Sequence, residues 1–282
     1  MQFFLYLFIA LLLLGNLVVL LIFQEKSPIL DFLIKHNWYF PYHVVLTLYL
    51  LPLGEFGREL REKSFMNFCH VIGPILMKEI NPHKPELFAG LKAAGESGKS
   101  GKPLTVLEIG IGPCTNFPYY PGKCELVVVE PESFFRKEVE QKLKSYPGIH
   151  LKGFYDIGAE DMTSVIDSGT IDAVIGTLVL CSVNNNDSVL REVLRVLKPG
   201  GKYYFYEHVK SKPSWKRKIQ EFLHWSTIWR YWMCGCDFYD THKLIKKTGF
   251  STVECKEAYL SYSKFSLPLE FINHNYYGIA TK

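Results

Sequence analysis

The chain has 282 residues, of which 48% are hydrophobic and 15% aromatic, so it can form a sizeable core and a wholly disordered chain is excluded. Its formal charge of +4 is too small to indicate a nucleic-acid partner by itself. The 7 cysteines are odd in number and widely spaced, which argues against a disulfide framework and favours a reducing compartment.

The first predicted element is an uncharged apolar run over residues 3–23. As a helix it would be about 31 Å long, which matches a hydrocarbon core of about 30 Å. A cleaved signal peptide is the alternative, but no basic residue precedes the run and no small-residue cleavage site follows it. We therefore predict an uncleaved membrane anchor over residues 1–24. Basic residues such as Lys26 and Lys35 follow it, and they predict that the rest of the chain faces the cytosol.

Residues 25–100 are predicted to form an interfacial and helical lead-in that ends in a linker. Residues 38–53 are apolar and rich in tyrosine but interrupted by prolines, which is typical of a segment at the level of the lipid headgroups. A monotopic hairpin is the alternative for this segment. Residues 55–92 have apolar side chains at helical spacing, and residues 94–103 are small, polar and glycine-rich, which indicates a loop.

Residues 101–282 are predicted to form an α/β domain. Strand-like apolar runs alternate with helical stretches, and this alternation indicates an open, doubly wound sheet. The last two runs leave no room for a crossover helix like the earlier ones, so they predict a terminal antiparallel hairpin. The runs cover residues 104–109, 126–130, 149–155, 171–178, 203–207, 252–257 and 276–281, and the clearest helical stretches are 134–145 and 188–197.

A glycine turn follows the first of these strands. Gly110 and Gly112 allow a ligand to approach the backbone closely, and Glu130 ends the next strand at the spacing where a carboxylate accepts ribose hydroxyls. Thr115 replaces the third glycine of a dinucleotide motif, which disfavours a nicotinamide dehydrogenase. Glu108 suits a ligand with an ammonium group. The pattern predicts a nucleoside with a cationic, amino-acid-like tail, as in S-adenosylmethionine; the alternative is a tight turn without a ligand.

In the order of its motifs the chain resembles the class I S-adenosylmethionine-dependent methyltransferases, whose α/β sheet is doubly wound and seven-stranded. The matching stretches are residues 108–112, 129–131, 158–162, 171–174 and 190–201. Residues 177–183, 207–209 and 277–280, with the apolar N-terminus, are more closely similar to the methyltransferase-like 7 family. This resemblance implies a membrane-anchored thiol S-methyltransferase, with a cytosolic catalytic domain, at the endoplasmic reticulum or lipid droplets.

The motifs and the resemblance together assign roles to individual residues. His208, at the end of the fifth strand, is the candidate general base, with a purely structural role as the alternative. The acceptor implied is a small lipophilic thiol, and membrane lipid is the other expected partner. A lipid or quinone methyltransferase and an inactive membrane scaffold remain alternatives. The cofactor-binding residues are predicted to be Glu108, Gly110, Gly112, Asn116, Glu130, Glu160, Asp161, Met162 and Thr177.

Three positions depart from the family's usual pattern. Pro113 and Cys114 stand where the family has threonine and glycine, and the proline removes one amide donor from the turn. Glu130 stands where the family has aspartate, so its carboxylate has a longer reach to the same ribose. These departures predict altered or weakened cofactor binding.

The remaining cysteines and histidines predict no metal site. Cys234 and Cys236 are separated by a single glycine and have no partner pair at metal-ligand spacing. Cys181 is expected to pack in the core, with a place in the acceptor pocket as the alternative. His274 is expected either to face the pocket or to lie at the surface.

A basic stretch at residues 210–218 contains one of the five tryptophans and is followed by three more. One interpretation is a solvated loop followed by an aromatic core helix. The other is a lid that contacts the membrane surface, because tryptophan and basic residues favour interfaces and anionic headgroups. No RNA-binding module accompanies this stretch, so no nucleic-acid partner is predicted. The four tryptophans are Trp215, Trp225, Trp229 and Trp232.

Overall fold

The computed structural model describes residues 73–97, 102–227, 229–230, 233, 235–261 and 267–282. The chain divides into two compact units, and the second contains Leu76–Ser263 and Leu269–Lys282. The predicted anchor, the segment at residues 38–53 and most of the helical lead-in lie outside the described residues. Among the helices that are described, none has the length and hydropathy needed to cross a membrane.

A seven-stranded sheet forms the centre of the second unit. Its strands are β1 (Leu104–Ile109), β2 (Cys124–Val129), β3 (Ile149–Tyr155), β4 (Ile171–Thr177), β5 (Leu197–His208), β6 (Thr252–Tyr259) and β7 (His274–Thr281). They lie in the order β3-β2-β1-β4-β5-β7-β6. Strands β1 to β5 are parallel, and β7 pairs antiparallel with both β5 and β6. The predicted doubly wound sheet with a terminal antiparallel hairpin is therefore confirmed.

Helices flank this sheet. The helices are α1 (Lys84–Ser97), α2 (Phe135–Leu143), α3 (Asn186–Val196), α4 (Ser214–Trp225) and α5 (Thr241–Lys247). All of them except α4 bury apolar side chains in the core. In α3, Val189, Val193 and Val196 recur at helical spacing and are fully buried. The Asn185 side chain caps this helix by accepting a hydrogen bond from the Ser188 amide at 3.0 Å.

Two elements begin or end elsewhere than the sequence pattern predicts. Helix α1 continues to Ser97, so the first part of the predicted linker at 94–103 is helical. Its residues Leu87, Phe88 and Leu91 are buried in the core of the same unit, and the predicted boundary at residue 101 falls after this helix. Strand β5 begins at Leu197, ahead of the predicted start at residue 203, because a bulge admits Pro199, Gly200 and Gly201 to the strand.

The parallel strands place their carboxyl ends along one edge of the sheet. In this sheet the order of the strands reverses between β1 and β4, which are direct neighbours. Open α/β sheets bind ligands outside the carboxyl ends of their strands, next to such a reversal. The residues that follow β1, β2, β4 and β5 are therefore the ones that form a candidate site.

Candidate active site

A buried carboxylate lies at the glycine turn. Glu108 is 1% exposed and accepts hydrogen bonds from Asn116 Nδ2 at 2.7 Å and from the Tyr120 hydroxyl. Asn116 Nδ2 also donates to Thr177 Oγ1 at 3.1 Å. These four residues, the Glu108 group, join β1, the turn and the end of β4. Burial raises the pKa of Glu108 to about 7, since the low-dielectric surroundings disfavour its charged form.

The turn beside this group is open to a ligand. Gly112 has a φ of +47°, and nothing lies within 4 Å of the position that a Cβ would take. Gly110 has a φ of +61°, and a Cβ there would come within 2.6 Å of Val179 Cγ2. The positive φ therefore favours glycine at both positions, and the contact with Val179 is a second constraint at Gly110. Asn116 Oδ1 is buried and has no hydrogen-bond partner in the described part of the chain. A buried acceptor without a partner indicates a missing donor.

A buried lysine that the sequence pattern did not indicate lies next to the turn. Lys84, the first residue of α1, is fully buried. Its Nζ donates to Thr115 Oγ1 at 3.0 Å and lies 3.3 Å from the Thr115 carbonyl oxygen. Burial lowers its pKa to about 8. In the sequence Lys84 has the pattern of a solvated helix residue, so no local signal distinguishes it.

Glu130 lies next to β2 and is bonded to the turn. Its Oε2 accepts a hydrogen bond from the Gly112 amide at 3.2 Å, and its Oε1 accepts one from the Glu132 amide at 3.1 Å. Burial raises the pKa of Glu130. A carboxylate has about four acceptor sites, so both oxygens can still accept hydrogen bonds from the hydroxyls of a ligand.

The other predicted cofactor residues, 160–162, bond away from the Glu108 group. Glu160 Oε1 accepts from the Asn184 amide at 2.8 Å. Asp161 is exposed and accepts two hydrogen bonds from Thr163, which hold its pKa below the usual value. Met162 is fully buried, and its amide donates to Glu192 Oε2 at 2.7 Å. Their predicted contacts with the cofactor stay predictions.

Residues at the ends of β4 and β5 bring two thiols and an imidazole together. Cys181, His208 and Cys236, the thiol–imidazole cluster, have ligand atoms that all lie within 4.8 Å of one another. His208 Nε2 is 3.2 Å from Cys236 Sγ. His208 is thus engaged with a protein thiol, and its predicted role as general base stays a prediction. The sequence could not indicate Cys236 as its neighbour, because the two residues are 28 positions apart.

Two neighbours of the cluster have structural roles. Glu207 is fully buried, and its Oε1 accepts hydrogen bonds from the Val179 and Leu180 amides at 3.0 and 3.1 Å. Burial raises its pKa to about 8, so its carboxyl group is largely protonated at neutral pH. His274 is not a surface residue: it is buried between the Lys210 carbonyl and the Glu257 carboxylate.

Helix α4 has an exposed aromatic face. Trp215, Phe222 and Trp225 are 61%, 57% and 77% exposed, and their spacing places them on one side of the helix. Gln220, on the other side, is buried and bonds the Ser211 amide and the Phe271 carbonyl. Trp229 is a buried core residue, as the interpretation of an aromatic core expects, and Trp232 lies outside the described residues. The membrane-contacting lid stays a prediction.

Comparison with known proteins gives consistent matches. The family model described as a methyltransferase domain matches residues 107–205. The human thiol S-methyltransferase TMT1A is 34% identical over 78% of this chain and 87% of its own length. The human TMT1B is 33% identical over 75% and 85%. The fold is similar to that of a Burkholderia thailandensis 1,6-didemethyltoxoflavin-N1-methyltransferase with bound S-adenosylhomocysteine, at a TM-score of 0.50, 13% identity, and 78% and 86% coverage of the two chains.

Proposed function

Because the chain belongs to the family of thiol S-methyltransferases that these relatives represent, we propose that it transfers a methyl group from S-adenosylmethionine to the sulfur of a small lipophilic thiol. The predicted class, a class I S-adenosylmethionine-dependent methyltransferase, is confirmed by the family match and the fold. The thiol is proposed here for this chain because both human relatives are named for thiol S-methylation.

The observation that carries the proposal is the buried Glu108 group at the open glycine turn. Glu108 provides a carboxylate for the ammonium of an amino-acid tail, and Asn116 Oδ1 provides a second, unpartnered acceptor. Lys84 places a positive charge beside the turn, suited to the carboxylate of the same tail. Glu130 has acceptor capacity for the ribose hydroxyls. These residues therefore fit S-adenosylmethionine.

Bound S-adenosylmethionine supplies an electrophilic methyl group on its sulfonium sulfur. The residues of the chain have to hold the acceptor sulfur in line with that methyl group and to exclude water, since alignment supplies most of the rate gain in such transfers. The carboxyl ends of β4 and β5 are suited to this task. They adjoin the Glu108 group through Thr177, and the side chains there are buried.

The acceptor is tested by mass spectrometry with an isotope-labelled methyl donor. We expect the purified full chain to methylate lipophilic thiols and to leave the matched alcohols, with oxygen in place of sulfur, unchanged. Phenols and quinones belong in the same screen. If a phenol or a quinone is methylated and no thiol is, the thiol assignment is wrong while the methyltransferase assignment stands.

We propose in addition that residues 1–24 anchor the protein in the membrane of the endoplasmic reticulum or of lipid droplets, with the catalytic domain in the cytosol. The uncharged run over residues 3–23 supports the anchor. The exposed aromatic face of α4 supports a second contact with lipid, because tryptophan favours the membrane interface. The basic residues add less, since Lys216 and Arg217 are paired with Glu270 and Asp240.

Deletion of residues 1–24 is expected to release most of the protein from carbonate-washed membranes, unless residues 38–53 retain it. A glycosylation tag placed after Lys282 is expected to stay unmodified, because the domain faces the cytosol. Recovery of the full chain in the soluble fraction would contradict the anchor, and modification of the tag would contradict the orientation.

The contact of α4 with lipid is tested in the full chain with brominated lipids, which quench tryptophan fluorescence at the interface. Replacement of Trp215 and Trp225 by phenylalanine is expected to remove most of the quenching. Trp229→Phe is the matched control, because Trp229 is 1% exposed and its removal should leave the quenched fraction unchanged. Equal quenching in the double variant and the wild type would refute the contact.

A further inference from the structure

The thiol–imidazole cluster has the composition and geometry of a metal site. Cys181 follows β4, His208 ends β5, and Cys236 precedes α5. Their exposed fractions are 3%, 2% and 9%, and their ligand atoms lie within 4.8 Å of one another. In a tetrahedral zinc site, bond lengths of about 2.3 Å to sulfur and 2.0 Å to nitrogen place the ligand atoms about 3.5–3.8 Å apart. The separations in the cluster therefore exceed those of a tetrahedral zinc site by at most about 1 Å.

Main-chain hydrogen bonds hold the segments of the cluster in place without a metal ion. The Asp237 amide donates to the Cys181 carbonyl at 2.8 Å, which ties the segment of Cys236 to the loop after β4. That loop is fixed in turn by Glu207. The Val209 amide donates to the His274 carbonyl at 2.8 Å, directly after His208. These backbone contacts therefore hold the segments of the three side chains in place before a metal ion binds.

The protein contacts within the cluster are weak ones. A thiol is a poor hydrogen-bond donor and acceptor. Cys181 Sγ lies 3.4 Å from the Leu178 carbonyl and 3.4 Å from the Ser182 hydroxyl, and it also interacts with the side chains of His208 and Cys236. Because His208 Nε2 is the ring nitrogen 3.2 Å from Cys236 Sγ, it is the one placed to bind a metal ion between the two side chains.

We infer that Cys181, His208 and Cys236 bind a zinc ion and that its fourth coordination position receives the sulfur of the acceptor thiol. The second half of this inference rests on the proposed function. Two thiolates neutralise the charge of Zn²⁺, so the occupied site carries no net charge, as burial requires. Sites with three protein ligands leave one position for a substrate, whereas closed structural sites have four. The sequence predicted no metal because the three ligands come from distant segments.

The location of the cluster suits the acceptor. Cys181 lies four positions after Thr177, which belongs to the Glu108 group. A thiol that coordinates zinc loses its proton to water and binds as the thiolate. Its sulfur then forms the new bond to the methyl carbon, the bond from that carbon to the sulfonium sulfur breaks, and the electron pair stays on the cofactor. The thiolate and the sulfonium carry opposite charges, so the pair is neutral before and after transfer.

Metal analysis of the purified full chain tests the site. We expect about one equivalent of zinc per chain after dialysis against metal-free buffer, and loss of most of it in Cys181→Ser, His208→Gln and Cys236→Ser. Cys255→Ser is the matched control, because this half-exposed thiol on β6 lies outside the cluster. Each variant is checked for folding by its binding of S-adenosylhomocysteine. The site is refuted if the wild type contains no zinc or if all four variants contain equal amounts of zinc. It is also refuted if the wild type contains copper in place of zinc.

A measurement on the wild type does not depend on the folding of any variant. A chelator is expected to lower the Tm, and zinc is expected to restore it; an unchanged Tm after complete removal of zinc overturns the inference. In the cobalt-substituted protein, a lipophilic thiol should shift the visible absorption of cobalt and the matched alcohol should not. An unshifted spectrum overturns the coordination of the acceptor. Thiol methylation at full rate by zinc-free protein refutes the zinc site and leaves the proposed function intact.

Discussion

The two halves of the carboxyl edge of the sheet are built differently. The Glu108 group takes three of its four members from residues 108–120, and two of them donate hydrogen bonds to the carboxyl group of Glu108. Such bonds are among the stronger kinds once that group is ionised. The thiol–imidazole cluster takes its members from residues 181, 208 and 236 and has only weak contacts between side chains. The first half is fixed by local chain geometry, and the second depends on the fold to bring its members together.

We call the half with the thiol–imidazole cluster the acceptor half. The difference predicts that its stability depends more strongly on the contacts that hold the loop after β4. Glu207→Ala leaves the buried Val179 and Leu180 amides without their acceptor, so we expect the free energy of unfolding to fall by about 2–5 kcal/mol. Glu207→Gln retains an acceptor oxygen and should cost less than about 1 kcal/mol. Chemical denaturation of the full chain measures both. If both variants lose the same free energy of unfolding, the loop depends on the carboxyl group as a whole and not on one acceptor oxygen.

The half with the Glu108 group, the cofactor half, should bind the cofactor more weakly when one charge is removed. Glu108→Gln removes the negative charge that faces the ammonium of the cofactor, and hydrogen bonds to charged groups contribute about 1.5–3 kcal/mol. We therefore expect S-adenosylhomocysteine to bind about 10- to 150-fold more weakly in calorimetry. Glu125→Gln is the control, because Glu125 forms a surface ion pair with Lys152 at 2.7 Å. If both variants weaken binding equally, Glu108 is not a cofactor ligand.

The affinity for the cofactor should depend on pH through Glu108, which belongs to the cofactor half. Burial raises the pKa of Glu108 to about 7, so in the ligand-free protein the carboxylate forms as the pH rises through 7. Affinity for S-adenosylhomocysteine should therefore rise between pH 6 and 8, by up to about tenfold per unit below the pKa. Glu108→Gln should abolish this rise. A wild-type affinity that is flat over the same range would contradict the ammonium–carboxylate contact.

The same shift fixes the sign of one contribution to stability. The native protein holds the Glu108 proton more tightly than the unfolded chain does, so the free energy of unfolding without ligand should fall as the pH rises from about 4.5 to 7. Glu108→Gln should lose that decline, which a series of denaturation curves in this pH range would measure.

The sequence predicted that the residues at the glycine turn lie together, and it indicated less of the thiol–imidazole cluster. Glu108, Gly110, Gly112 and Glu130 belong to a strand–turn–strand pattern whose geometry is local, so spacing alone places them together. Lys84 could not be found in this way, because a lysine at the start of a helix is normally solvated and only the packing of α1 buries it. His208 was predicted as the candidate base and Cys181 as a core or pocket residue, but their proximity to each other and to Cys236 could not be predicted, because the three residues come from distant segments.

The boundaries of β5 and α1 were missed for related reasons. The proline and glycines at residues 199–201 have the pattern of a helix end followed by a turn, yet a bulge in the pairing with β4 makes them part of the strand. The small residues at 94–97 have the composition of a linker, yet α1 continues through them because its preceding turns are held in the core. In both places tertiary contacts outweigh local propensity.

The smallest effect is expected at the residue where the turn departs from its family. Cys114 has a φ of +54°, so the backbone has the left-handed conformation that glycine adopts most readily. Its side chain is fully buried, with Sγ 3.7 Å from the Gly112 carbonyl, and burial raises the pKa of the thiol. Cys114→Gly would relieve about 1 kcal/mol of backbone strain and lose about as much from the buried side chain.

We therefore expect Cys114→Gly to change the free energy of unfolding by less than about 1 kcal/mol, for the two opposing reasons above. Affinity for S-adenosylhomocysteine should change by less than about threefold, because the turn already has the conformation that glycine would give it. Cys114→Val is the matched variant, since a β-branched side chain is strongly disfavoured at positive φ and should weaken both stability and binding. A tenfold gain in affinity for the glycine variant would show that Cys114 does weaken cofactor binding, as the family pattern predicts; no loss for the valine variant would show that the left-handed turn is not what binding requires.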